Sequence, residues 1–165
     1  MQSQRREALI RYFESVPKRT LSREGTGIVL DTNVVLDRWV FCDARAAFLT
    51  DVLRSSQYES IGHLETFLEL ADVIARPQFG LSEKDRQDLL NRWLKETVFC
   101  ESPLEAVRFC KDPDDDKFFN LACKAGAAYL VSKDKRVHKA RAKALKRGVA
   151  VITLAQAQSI FSLTR

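Results

Sequence analysis

A chain of 165 residues that is 45% hydrophobic and 30% charged has the size and apolar content of one globular domain with its own core. Its net charge of +5, from 27 basic against 22 acidic side chains, is too small an excess to name a partner by itself. No apolar run approaches the ~20 residues of a membrane span.

The N-terminal stretch MQSQRREALIRYFESVPKR lacks the apolar centre and small-residue cleavage site of a signal peptide, so the expected location is cytoplasmic, with no membrane partner. Residues 1–24 read as a polar, amphipathic helical extension with a boundary at Pro17, and 25–165 as one further domain. GIVLD (27–31) is a β-branched strand entered through glycine and ending on a carboxylate. DARAAFLTDVLRSS (43–56) has helical spacing, YESI (58–61) is a short strand, and HLETFLELADVIA (63–75) is an apolar helix stopped by Pro77. SEKDRQDLLNRWLKE (82–96) opens with a near capping box and continues as a helix, followed by the strand TVFCE (97–101). DDDKFFNLACKAG (114–126) is a helix with Gly126 as its C-cap. Then come the strand AAYLVS (127–132), a basic helix over 135–147, the strand VAVIT (149–153) and a last helix from Leu154. Strands alternating with helices predict an α/β fold around a mainly parallel, five-stranded sheet.

Cys42, Cys100, Cys110 and Cys123 are widely spaced, form no C-x-x-C, and with only His63 and His138 to join them make no zinc pattern. The charges are segregated instead. KDPDDDKFF packs Asp112, Asp114, Asp115 and Asp116 into five positions, whereas residues 133–147 set eight Lys/Arg against the single Asp134. An aspartate run is an ordinary helix start and a basic stripe an ordinary solvated face. Together they also suit a polyanionic substrate and a cation that mediates it.

Ligands of parallel α/β sheets sit outside the carboxyl ends of the strands. Asp31 closes the first strand, Asp134 follows the fourth, and Asp115 opens the helix before that strand. All three can reach one sheet edge. Glu69 interrupts an otherwise apolar helix, where a charge is costly unless paired or metal-bound. Each position admits a plainer reading: a helix N-cap for Asp31, a boundary charge reaching water for Glu69. There is no G-x-x-x-x-G-K-[ST], no G-x-G-x-x-G, and Asn33 stands where an aspartyl-phosphate phosphatase needs its second aspartate. Carboxylates holding metal ions are what remains.

VLDTNVVLD, FLELADVIARPQF and DPDDDKFFNLACKAGAAYLVSKD, in that order from about Ile28 to Leu154, resemble the PIN-domain nucleases, and within them the bacterial proteins similar to VapC-type toxins. The resemblance implies an α/β/α sandwich, and Asp31, Glu69, Asp115 and Asp134 as the acidic set. Of these, Asp31, Asp115 and Asp134 would hold Mg²⁺ or Mn²⁺, with Glu69 completing the site or positioning water. Asn33 and Ser132 match positions that orient the carboxylates, and Asp116 or Asp114 could share the third position. Where relatives more often carry threonine and then glycine or arginine, this chain has Ser132–Lys133, which keeps the hydroxyl. The expected activity is metal-dependent endonucleolytic cleavage of RNA. Lys133, Lys135, Arg136, Lys139 and Arg141 would grip the backbone, a homodimer is expected, and a cognate antitoxin is the expected protein partner of a type II toxin. A stand-alone RNA-processing nuclease and a non-catalytic nucleic-acid-binding domain share these motifs.

Overall fold

A computed structural model describes residues 2–22 and 24–163; Met1, Arg23, Thr164 and Arg165, which belong to the two segments drawn from the sequence, lie outside the described residues. Helix α1 (Ser3–Ser15) leads to a two-residue strand β1 (Arg19–Thr20) and the central strand β2 (Thr26–Leu30). Next come α2 (Thr32–Trp39), α3 (Phe48–Arg54), β3 (Tyr58–Gly62) and α4 (Leu64–Ile74), followed by α5 (Glu83–Glu96) and β4 (Thr97–Phe99). The chain then forms α6 (Pro113–Ala125), β5 (Tyr129–Val131), α7 (Lys135–Lys139), α8 (Arg141–Lys146), β6 (Ala150–Ile152) and α9 (Leu154–Ser162).

The strands make one sheet in the order β1-β4-β3-β2-β5-β6, with every neighbouring pair parallel. This is the expected α/β class with one strand more than the five read from the sequence. The addition is β1, where Arg19 and Thr20 pair with Val98 and Phe99. Two exposed residues carry no alternation, so that strand has no signature of its own.

Side chains alternate across the sheet as strand geometry requires. Ile28, Leu30, Val131 and Ile152 face one core, shared with α1 to α5 and α9. Val29, Leu130 and Val151 face the other, shared with α6, α7 and α8. The N-terminal segment belongs to the first core through Phe13, whose ring sits 5.1 Å from Phe67 and 5.2 Å from Phe99.

Three helical segments differ from their expected outline. Residues 32–39, given no element from the sequence, form α2, where packing of Val34, Val35 and Leu36 overrides weak β-branched propensity. The helix expected over 43–56 begins as a separate 3₁₀ turn at Ala44–Ala46, because the Asp43 side chain accepts the Arg45 amide at 2.9 Å. The basic helix expected over 135–147 breaks at Ala140, whose amide turns back to Val137.

Caps fix the ends of the helices that border the acidic residues. α6 starts on Asp112, whose side chain accepts the Asp114 amide, with Pro113 in its first turn, and ends on Gly126 at φ 65°. Asp31 caps α2 and Asp134 caps α7.

Candidate active site

The sheet order reverses around β2: β3 and β4 lie on one side, β5 and β6 on the other. Crevices in open α/β sheets form at the carboxyl ends of strands beside such a switch point. Leu30 pairs with Val131 as the last register position of β2 and β5, and the Asp31 amide then bonds to the Val131 carbonyl at 3.1 Å. Asp31 and Ser132 are therefore the first residues past the paired ends. A cleft of about 1060 Å³ opens there, and Asp31, Glu69, Asp115 and Asp134 all line it. Asn33, Asp114, Asp116 and Arg136 line it too.

Asp31 is 5% exposed. Its Oδ1 accepts the Val34 amide at 3.0 Å, so it is at once helix cap and cleft wall. Burial pushes its carboxyl from 3.8 up to about 6, opposed by the Ser132 hydroxyl and the Val34 amide and helped by the charges of Asp134 and Glu69. Burial likewise raises Asp115, with the charge of Asp134 next in weight and Arg136 pulling the other way. The Asp115 Oδ2 atom is buried and has no hydrogen-bond partner. Asp134 lies below the ordinary carboxylate range, held there by the Arg136 guanidinium 3.1 Å away.

Ser132, fully buried, joins two of these groups: its hydroxyl donates to Asp31 and accepts the Asp134 amide at 3.0 Å. Glu69 is engaged on both oxygens. Thr32 Oγ1 donates to Oε1 at 2.7 Å, and the Lys117 ammonium pairs with Oε2. Thr32 and Lys117 carried no signal in the sequence, because their partner lies 37 and 48 residues away.

Within the aspartate run the roles separate. Asp112 caps α6. Asp116 accepts the Phe109 and Cys110 amides on Oδ1 at 2.9 and 2.8 Å and meets Arg108 through Oδ2 at 3.1 Å, tying down the loop before α6. Asp114 is exposed. Two buried oxygens of this run lack a hydrogen-bond partner, and of these Asp116 Oδ2 is paired with Arg108 while Asp115 Oδ2 joins no ion pair among the described residues.

The basic residues are dispersed. Arg136 reaches the cleft, between Asp134 and Asp112. Lys133 pairs instead with the buried Asp37 at 2.5 Å. Lys135, Lys139 and Arg141 are exposed and do not line the cleft. Arg6, Arg76, Arg108 and Lys117, from four other segments, do line it. Neither histidine lines the cleft: His63 caps α4 and donates Nε2–H to the Ser102 carbonyl, and His138 donates to the Ser132 carbonyl. Burial, helped by Asp115, Asp116 and Asp134, holds the Cys110 thiol up at about 11, which disqualifies it as a nucleophile.

The PIN-domain family model matches residues 27–136, a span that opens in β2, closes in α7 and contains all four acids. The chain belongs to the PIN-domain family. PIN domains are generally nucleases and typically use divalent metal ions. No curated protein matches this PIN domain. Among the described residues no three His, Cys, Asp or Glu side chains converge into a ready-made metal cage. The donors nevertheless fit a hard divalent ion. They are carboxylates, Asp31 and Asp115 are pushed up by burial and by the charges of Asp134 and Glu69, and one buried Asp115 oxygen is without a hydrogen-bond partner. Mg²⁺ asks for no more, since it keeps several waters and takes one or two carboxylates plus substrate phosphate.

Proposed function

We propose that this PIN domain is a Mg²⁺- or Mn²⁺-dependent endoribonuclease and the toxin component of a type II toxin–antitoxin system. The observation that carries the reaction class is the meeting of Asp31, Asp115 and Asp134 in one cleft at the carboxyl edge of the sheet, where burial raises the buried Asp31 and the half-buried Asp115 and one Asp115 oxygen has no hydrogen-bond partner. A site that disfavours its own ionisation is relieved by a cation. Asp31, Asp115 and Asp134 would hold that cation, and when bound it would activate a water and neutralise the phosphoryl group.

The chain's own groups do the positioning. Ser132 fixes Asp31 and the turn bearing Asp134 through one hydroxyl. Asn33, exposed at the cleft, would orient the reacting groups. Arg136 is placed to meet a backbone phosphate, with Lys133, Lys135, Lys139 and Arg141 supplying the surrounding positive field. RNA as substrate, a homodimer and a cognate antitoxin rest on the resemblance of the motifs to VapC-type toxins.

Labelled single-stranded RNAs incubated with EDTA, Mg²⁺ or Mn²⁺ test the reading directly. Cleavage is expected only with the divalent ion, and Asp31→Asn or Asp115→Asn should each lower it by on the order of 100-fold or more, the upper range for disturbing a metal site. Cleavage that survives both substitutions overturns the assignment.

A further inference from the structure

Among the acids that line the cleft, Asp31 and Asp115 differ from Glu69 in what already touches them. On one side, the buried Asp31 and the half-buried Asp115 line the cleft, and an oxygen of Asp115 lacks a hydrogen-bond partner. On the other side, each oxygen of Glu69 already has a partner, Thr32 on Oε1 and Lys117 on Oε2. Lys117 follows Asp115 by two residues on α6, and Thr32 follows Asp31 on α2. The helices that present Asp31 and Asp115 thus also deliver the two partners of Glu69.

A lysine ammonium normally stretches toward water. That of Lys117 is held inward, its side chain 19% exposed beside a Glu69 side chain 22% exposed. Ordering and desolvating a lysine in this way is unfavourable unless a carboxylate compensates it. The pair is mutual: removing the ammonium would leave an uncompensated carboxylate in the wall of an acidic cleft.

Building on the metal-nuclease reading, we propose that Lys117 is a resident monovalent cation standing where a second divalent ion would otherwise sit. The cleft then holds one metal ion per chain, on the side of Asp31, Asp115 and Asp134. Glu69 is the partner of Lys117 and not a metal ligand. Lys117 also keeps a fixed positive charge beside the metal position, where a phosphate oxygen of the substrate can use it.

Mn²⁺ titrated into the full chain and followed by the electron paramagnetic resonance of the free ion counts sites without reference to activity. The wild type should bind one ion. Lys117→Met should bind a second, or bind the first more tightly by roughly tenfold, as expected when a nearby like charge is removed. Lys117→Arg should match the wild type, and Glu69→Gln should still bind one ion. The double variant Lys117→Met/Glu69→Gln, which removes both charges and leaves neither unpaired, should return to one ion; it remains informative if Lys117→Met does not fold. Two ions in the wild type, an unchanged count and affinity in Lys117→Met, or loss of the ion in Glu69→Gln each overturn the proposal and leave the nuclease reading standing. No binding by the wild type or any variant overturns both.

Discussion

Asp31 is asked to be two things, a helix cap and a wall of the cleft, and the second works against folding. In the folded chain burial raises its carboxyl from 3.8 to about 6. Between those values the native state binds the proton that the unfolded state has released, so stability falls as pH rises through that window. Above it the full cost of the buried charge is present. Asp31→Asn removes the charge and keeps a good cap. At pH 7 and without divalent ions it should stabilise the chain by on the order of 3 kcal/mol, at about 1.4 kcal/mol for each tenfold change in proton affinity. Below pH 4 the protonated aspartate resembles asparagine and the gain should vanish. Urea unfolding at the two pH values checks both halves. The anomaly at Glu69, a charge in an apolar helix, was legible in the sequence. Its resolution was not, because Thr32 and Lys117 meet it only through the fold. The aspartate run was legible as a helix start and as a cation candidate. Which residue did which depended on hydrogen bonds that no spacing encodes: Asp112 caps, Asp116 anchors, Asp115 is left over.

At the scale of elements, strands and helices that carry a full period were readable, and those with too few residues were not. β2, β3, α4, α5 and α6 stand close to where periodicity and caps put them. The Ser82–Asp85 pair forms a true capping box. β1 is too short to alternate, and α7 and α8 divide at a residue, Ala140, that sequence propensity would keep helical. α1 is the instructive case. It reads as a polar helix, and Phe13 is its one buried residue. That ring nonetheless lies against Phe67 of α4 and Phe99 of β4, and the strand after it completes the sheet edge. Phe13→Ala should therefore cost about 3–5 kcal/mol, as a core aromatic does, and not the few tenths of a surface position. Equilibrium denaturation at neutral pH measures it. A loss below about 0.5 kcal/mol, the surface range, would mean that α1 is an appendage.

At the scale of the molecule, the position of the cleft follows from chain order alone. A parallel sheet that winds outward from β2 in both directions leaves its crevice above β2 and β5, and those two strands end on Asp31 and on the Ser132–Asp134 turn. The acids and their places at strand ends were legible in the sequence; the order of the strands in the sheet and the basic wall from Arg6, Arg76, Arg108 and Lys117 needed the folded chain, since these residues come from separate segments. The net charge of +5 and the acidic cleft then act on different ligands. A polyanion responds to the outer field and weakens with salt. A divalent ion responds to the cleft and stabilises only the state in which the acids are assembled. Mn²⁺ at one hundred times its dissociation constant should add about 2.7 kcal/mol to folding, which for a chain of this length raises Tm by roughly 5–10 °C. Asp115→Asn should flatten that response, because it removes the carboxylate with the unpartnered oxygen. Sodium chloride at matched ionic strength should leave both melting curves within about 2 °C of their starting points, since screening reaches buried carboxylates weakly. A rise that persists in Asp115→Asn would place the ion somewhere other than this cleft.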